Sequence, residues 1–444
     1  LGSTDHSIVA MHWYLDYVIG VTAGRRTKVI RRDATVRDIT DDFLSGSSQP
    51  TFLLDDDGSL LIFGGGAPLR IDGSLRARTF AVGLQGSPTH AGIVDHSLIV
   101  NDVGSDTVYF SDIGLGSNRG GVGGHEMFAL QPARSTPGSF TAGLRDDPVS
   151  ALATLQNRVL LFGEQSVEAF YGTGAGGGAA AFRLEDDPMQ STLGAPYSLL
   201  NATDTLWWLD YDRRFVRLEG RSTKTISTPI EKQLQALSTY SDCVTHLFEY
   251  QGHHLILLHF KAAGLTLCYD YMLEAWSEWR LWSLTTGDWT TMPLTAYCFQ
   301  PRWNMHFCAG QADATGEVFE LSPTTYQDNS NPLVRSWRGP YSDAGDMGLK
   351  FARRLQFLVD GGTANSYTST SDAYNPTVEV RWRNEDRLWQ EWRQMQLGTI
   401  GAMPSVRDVW CLSNFRRQQV EWRCSSPVPL RVNRIEVEAQ PRGR

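Results

Sequence analysis

The chain has 444 residues, of which 41% are hydrophobic, 20% charged and 11% aromatic, with 14 Trp. That length exceeds one core of ordinary size unless repeats build it, so two or more units are expected, and the apolar and aromatic content excludes wholesale disorder. The formal net charge of -9 argues against a surface that holds nucleic acid by neutralising phosphates.

No apolar stretch approaches the roughly 20 residues needed to cross a bilayer. The longest run, His253 to Phe260, is strand-sized, so a soluble chain is expected. The first residues, LGSTDHSIVAMHWYLDY, lack the basic region, continuous apolar core and small-residue cleavage site of a secretory signal. Only Lys28, Lys224, Lys232, Lys261 and Lys350 are lysines, so 35 of the 40 basic residues are Arg. Arg with Trp and Tyr is an interface composition, and a GC-rich genome would also produce it. None of the six cysteines (Cys243, Cys268, Cys298, Cys308, Cys411 and Cys424) sits in a CxxC pair. They read as buried free thiols of a reducing compartment.

Along the chain one pattern recurs: a strand of about five residues, a polar or glycine-containing turn, and a second alternating strand. It is found at Ser59–Arg70, His96–Phe110, Asn157–Gly174, Thr205–Leu218, His253–Tyr269 and Asn304–Leu321. With Leu60, Leu98, Val159, Leu206, Leu255 and Met305 as landmarks, the spacings are 38, 61, 47, 49 and 50. A period of about 50 with several strands per repeat predicts a β-propeller. A pair of β-sandwiches is the competing fold. Helix is scarce. The clearest case is TPIEKQLQAL, with Thr228 as N-cap, Pro229 at the first helical position and Glu231 closing a capping box, placed between blades.

After about Gly339 the rhythm stops. Leu349–Val359, Thr377–Leu397 and Asp408–Glu438 alternate apolar and charged residues without the 50-residue period. The expected organisation is all-β: a β-propeller-like domain with an N-terminal extension over residues 1–339, then a smaller β-sandwich-like domain over 340–444. Asp360–Pro376, rich in Gly, Ser, Thr and Asn, reads as an exposed loop.

The chemical motifs are weak. GTGAGGGAAAF at Gly172–Phe182 has no closing Lys-Ser/Thr and no following amphipathic helix, and GLGSNRGGVGG at Gly114–Gly124 has no helix or acidic ribose partner. Neither predicts a phosphate cradle. His246, His253, His254 and His259 lie close in sequence, but neighbouring strand positions face opposite ways, and no Cys or carboxylate spacing completes a metal set. The LDDDGS stretch at Leu54–Ser59 lacks the alternating ligands of a calcium loop and reads as a hairpin turn. No nucleophile elbow is present. Propellers also host glycosidases, which need two carboxylates near the funnel, and among 49 acidic residues sequence does not exclude such a pair. The expectation is no enzyme, no cofactor and no metal, with no catalytic, cofactor-binding or metal-ligating residue assigned.

One stretch carries a family resemblance. VLLFGEQSVEAFYGTG, Val159–Gly174, resembles the tail-hub, nozzle or packaged-DNA stabilisation proteins of short-tailed bacteriophages, in which a strand ending in Phe-Gly is followed by Glu, an aromatic and Thr-Gly. Phe162, Gly163, Glu168, Phe170, Thr173 and Gly174 hold those places. VYFSDI at Val108–Ile113 precedes it, STPIEKQLQ at Ser227–Gln235 follows it, and the chain closes on VPLRVNRIEVE at Val428–Glu438. The resemblance covers most of the chain from about His90 onward. It implies a virion protein assembled in the host cytoplasm: a homo-oligomeric ring, expected to be a hexamer, below the portal and adaptor proteins. Such a ring extends the DNA channel without sequence-specific binding, retains packaged DNA, and carries the tail needle and the tailspike or fibre proteins. A glycan-binding or glycan-cleaving propeller is the alternative. Trp389, Trp392, Arg416 and Arg417 are the expected subunit or partner contacts, because large aromatic and guanidinium groups dominate interface energetics; tryptophans filling a Trp-rich core are the other reading.

Overall fold

The computed structural model describes residues 6–80, 86–111, 138–143, 147–173, 182–185, 189, 191–310, 316–328, 331–361, 376–397 and 405–442. The chain divides into two compact units. One holds Leu1–Trp279 and Thr291–Ser322, and the other Arg280–Thr290 and Pro323–Arg444.

Among the described residues the first unit consists of seven antiparallel sheets, each paired in simple sequence order. The first contains Ile8–Tyr14, Tyr17–Thr22, Thr27–Ile30 and Val36–Asp38, and the next five also have four strands each, spanning residues 51–79, 91–141, 151–184, 200–225 and 243–279. The seventh has three: Ala296–Gln300, Met305–Ala309 and Phe319–Glu320. All six sequence landmarks fall on the second strand of successive sheets, so the recurring hairpin is the middle of a four-stranded blade. The stretch expected as an N-terminal extension is itself the first sheet. Its strand IVAMHWY lacks a long apolar run because three of its seven positions are His, Trp and Tyr.

Alternation within the second strands explains why they read as continuous apolar runs. Leu60 and Ile62 pack with Ile19 and Val29 of the first sheet, whereas Leu61 and Phe63 pack with Leu98 and Val100 of the third. Val159 and Leu161 face the third sheet, and Leu160 and Phe162 face Leu206 and Trp208 of the fifth. Trp207 and Leu209 then turn to Ile256 and Leu258 of the sixth. Each sheet is thus buried on both faces, and each of these large side chains contributes about 1.5–3 kcal/mol by leaving water. Between the sixth and seventh sheets the packing is aromatic and imidazole instead, with Phe248 4.4 Å from His306 and His246 5.4 Å from Tyr297 between ring centroids. The ring closes where Met11 and Val18 meet Cys298 and Ala309. Sheets stacked face to face in a closed circle are a β-propeller.

The innermost hairpins are made by two-residue turns. Asp95–His96, Gln156–Asn157, Thr203–Asp204 and Gln251–Gly252 have positive φ at both positions, the geometry that matches strand twist. The Leu54–Ser59 segment is also a turn between strands, with Asp57 accepting from the Ser59 amide and pairing with Arg70. The helix is shorter than expected: a 3-10 turn, Thr228–Ile230, runs into Glu231–Gln235. Thr228 does not cap it. Ser227 precedes the turn, and its hydroxyl accepts from the Phe215 amide instead, while Ile230 and Leu234 bury into the core between the fifth and sixth sheets.

The second unit is a β-sandwich. One sheet orders Arg335–Arg338, Gln418–Cys424, Thr377–Asn384 and Arg393–Gln396; the other orders Ser405–Phe415, Lys350–Gly361 and Leu430–Pro441. Between them lie Leu355, Phe357, Val380, Trp382, Leu412 and Phe415, and the Trp382 indole donates to the Leu412 carbonyl at 3.1 Å. The unit begins earlier than the expected boundary after Gly339, because Arg335–Arg338 pairs with Gln418–Cys424. It also takes the hairpin of Leu281–Ser283 and Asp288–Thr290, which lies in sequence between the sixth and seventh sheets.

Candidate functional site

Two places in the molecule gather chemistry-bearing side chains. The first is the propeller axis. Residues leading into or lying on the first strands of four sheets, among them Gln49, Phe52, His90, Tyr197 and His246, line a pocket of about 230 Å³. Lys261 donates to the Gln49 side chain at 2.8 Å, and Gln49 in turn donates to the Val9 carbonyl at 2.6 Å. His90 stacks on Tyr197 with centroids 5.3 Å apart, and His12 stacks on Phe52 at 5.4 Å. Burial pushes His90 and His246 down to about 4 and lowers His12 and Lys261. The imidazoles are therefore neutral at pH 7, and His246 Nε2 donates to the Leu294 carbonyl at 3.0 Å.

The other histidines singled out in the sequence have separate partners: His253 with Asp270, His254 with Glu249 and His259 with Thr266. Among the described residues no group of three or more His, Cys, Asp or Glu side chains is placed to hold a metal ion. Cys243, Cys268, Cys298, Cys308 and Cys424 are buried and in no disulfide; burial pushes Cys268 up to about 12. Of the glycine-rich stretches, residues 114–124 and 174–181 lie outside the described residues, as do 362–375 of the expected loop.

The second place is the outer face of the sandwich sheet that carries Thr377–Asn384. Its burial alternates strictly: Val378, Val380 and Trp382 point into the core, so Glu379, Arg381 and Arg383 share the outer face. On that face guanidinium and aromatic groups alternate. Arg381 and Arg423 each lie 4.3 Å from the Trp392 ring centroid. Trp389 takes Arg381 and Arg383 at 4.8 Å each and Arg338 at 5.3 Å. Tyr341 continues the series between Arg383 and Arg417. The guanidinium edges meet carboxylates: Glu421 accepts from Arg338 at 2.8 Å and Arg381 at 2.6 Å, Glu379 from Arg423 at 2.5 Å, and Asp386 from Arg417 at 2.6 Å. Arg338, Arg381, Arg417 and Arg423 each use a face for a ring and an edge for an anion, while the edge of Arg383 donates to the Gln419 side-chain oxygen at 2.8 Å.

Of the four residues expected at an interface, Trp389, Trp392 and Arg417 belong to this series. All three are half-buried and none fills the sandwich core. Arg416 stands apart, exposed in the turn after Ser405–Phe415, with its side chain donating to the Met347 carbonyl. Sequence reasoning missed Arg381, Arg383, Arg423, Glu379 and Glu421, although the alternation in TVEVRWRN and QQVEWRC puts them on one face, and it missed Arg338 on the neighbouring strand. It also missed Trp282 and Trp289. With part of the arginine series these border a groove of about 440 Å³.

Among the described residues, the fold and these sites define a seven-bladed β-propeller with a β-sandwich bearing an arginine–aromatic face. No family model matches the chain, and no curated protein matches it. Among solved structures it is similar to the computationally designed protein Ika8 (15% identity over 71% of this chain and 95% of that one, TM-score 0.38). It is also similar to the WD40 β-propeller domain of Doa1 (9% identity, 69% and 90% covered, TM-score 0.42). A third is PorZ, a bacterial surface component of the type-IX secretion system of Porphyromonas gingivalis (12% identity, 88% of this chain, TM-score 0.40). The chain spans 45% of that PorZ chain. The propeller assignment rests on the sheet order and inter-sheet cores described above.

Proposed function

We propose that the chain is a structural subunit of a short-tailed bacteriophage tail, one copy of the hub or nozzle ring that extends the DNA channel below portal and adaptor. The observation that carries this reading is the partition of charge. The propeller unit has 22 Lys and Arg against 35 Asp and Glu, net -13, and the sandwich unit 18 against 14, net +4. A ring of identical copies needs two unlike, complementary surfaces on each subunit. An acidic propeller and a basic, arginine-rich sandwich supply such a pair.

The axial pocket constrains how DNA would travel. A space of about 230 Å³ lined by Gln49, Phe52, His90, Tyr197 and His246 cannot admit a duplex whose major groove alone is about 12 Å wide. The conduit in this reading is bounded by several subunits, and an acidic wall lets phosphates slide past instead of binding them. Portal, adaptor, needle and tailspike or fibre proteins are the partners of such a ring, and the virion tail is its place.

The test combines electron microscopy with sizing of the purified protein across ionic strength. Closed rings at low salt that dissociate as salt screens the contact, together with antibody labelling of the virion tail, are expected. A chain that stays monomeric at every concentration and salt tested and does not label tails would reject the assignment.

A further inference from the structure

The hairpin of Leu281–Ser283 and Asp288–Thr290 places two tryptophans on one wall of the 440 Å³ groove in the sandwich unit. Trp282 and Trp289 are cross-strand partners, their rings 5.1 Å apart and at 84°. Both are half-buried. The rest of the lining comes largely from the outer face of the sandwich sheet, where Arg381 and Arg423 pack against Trp392. We infer that this groove binds a neutral saccharide, with an indole of the hairpin packing on the C–H face of a pyranose ring and the paired guanidinium and carboxylate groups opposite taking its hydroxyls.

Three properties select that ligand class. The first is volume: pockets that enclose small ligands run from about 300 to 1,000 Å³, and this groove lies in that range, unlike the flat patch of a protein–protein contact. The second is charge. The lining carries three cations (Arg338, Arg381 and Arg423) and three anions (Asp288, Glu379 and Glu421). Glu421 is shared by two of the arginines and Glu379 binds the third. With its charges matched within the wall, the groove has no excess to recruit a polyanion or an acidic peptide. The third is the juxtaposition of donors and acceptors. A sugar hydroxyl both donates and accepts, and an Arg–Glu pair offers both within one hydrogen-bond length. Because these side chains are already locked in pairs and stacks, little conformational entropy remains to be lost on binding. Trp392, already packed against two guanidinium groups, stiffens the wall and leaves the hairpin indoles as the stacking surface.

This inference does not rest on the ring assembly, since a monomeric chain would keep the groove. The experiment is a titration of the full chain, followed by tryptophan fluorescence and saturation-transfer NMR, with maltose, cellobiose, lactose and N,N′-diacetylchitobiose. A heparin disaccharide and a hexaglutamate peptide serve as charged comparators. At least one neutral disaccharide is expected to bind with a Kd on the order of 1 mM, with Trp282→Ala and Trp289→Ala each weakening it about tenfold, the loss of one aromatic contact. Ser425→Tyr, a change at an exposed lining position, is expected to abolish binding while the thermal melt stays unchanged, and it decides the matter if a tryptophan variant does not fold. Absence of binding by all four sugars at tens of millimolar, undiminished binding in the Ser425→Tyr protein, or preference for a charged comparator would each overturn the inference.

Discussion

Arg381 and Glu421 sit directly opposite each other in the sandwich sheet, and the Arg381 Nε donates to a Glu421 carboxylate oxygen at 2.6 Å. The same carboxylate accepts from Arg338, so one nearly buried anion organises two cations whose faces hold Trp389 and Trp392. Replacing Glu421 by Gln leaves both guanidiniums short of their partner. A buried pair broken on one side costs about 3–5 kcal/mol. Arg338 is half exposed and recovers solvation, so a smaller loss of about 1–2 kcal/mol is expected. Thermal or chemical denaturation checks it, and a stability unchanged from wild type would show the network to be surface ornament.

Gly163 explains part of the Phe-Gly stretch that suggested a family. A Cβ at this position would fall 2.2 Å from an Asp147 carboxylate oxygen, and that carboxylate accepts from the Glu164 and Gln165 amides at 3.1 and 2.7 Å. Gly163→Ala should force the carboxylate away and strand two turn amides, costing several kcal/mol at about 1–3 kcal/mol per buried unpaired group. Gly58→Ala, where nothing lies within 4 Å but φ is +82°, should cost only the backbone strain of about 1–2 kcal/mol. Equal losses for the two would remove the steric account.

The propeller was legible because its signal is repeated. Runs such as LLIF and TLWWL are buried on both faces, and six of them at near-constant spacing require stacked neighbours. The first sheet escaped notice because its strands mix His, Trp and Tyr with apolar residues, and the turn after Tyr14 carries no glycine. At the sandwich, alternation was legible but the partner of each outward side chain was not. Trp389 and Trp392 follow the strand that carries Arg381, in a stretch with no regular period, and only tertiary structure folds them back over it. The hairpin bearing Trp282 and Trp289 lies between two blades in sequence, and nothing local marks it as part of the other unit. Glu168, which holds a place in the stretch that carries the resemblance, is buried and accepts from the Gly143 amide at 3.1 Å. Gly174 of the same stretch lies outside the described residues.

Acid should destabilise the propeller before carboxylates titrate. Burial holds His90 and His246 at about 4 and His259 at about 3, against about 6.5 in the unfolded chain. Below pH 6.5 the unfolded state therefore binds more protons than the native one, and stability falls as pH falls toward 4. Above pH 7 both states are neutral at these sites and the slope vanishes. Each group contributes up to about 1.4 kcal/mol per pH unit inside that window. Denaturation midpoints between pH 7.5 and 5.5 measure the slope, and His246→Gln should flatten it. A midpoint constant across that range would contradict the burial of these imidazoles.

Gln300 ties the last sheet to the first. It is fully buried, and its amide donates to the carbonyls of Tyr17 at 2.6 Å and Leu15 at 3.3 Å while its oxygen accepts from the Arg302 amide. Among the described residues the first and seventh sheets share no strand, so the circle is held shut by side chains: the small apolar cluster around Met11 and Cys298, the Arg302–Asp16 pair and this amide. Gln300→Leu keeps most of the volume but leaves two turn carbonyls without a donor, at about 1–3 kcal/mol each where water cannot reach them. The loss should be local before it is global, because opening the seam exposes one face of each terminal sheet while the five from the second to the sixth stay stacked. Hydrogen exchange is expected to show amides of Ile8–Tyr14 and Ala296–Gln300 losing protection first. Asn101→Leu serves as the comparison: Asn101 is equally buried and accepts from the Thr89 and His90 amides, but it lies far from the seam in sequence, within the third sheet. Its loss should instead deprotect the third and fourth sheets. If both variants lowered protection uniformly across all seven sheets, the ring would be one cooperative unit and the seam no weaker than any other interface.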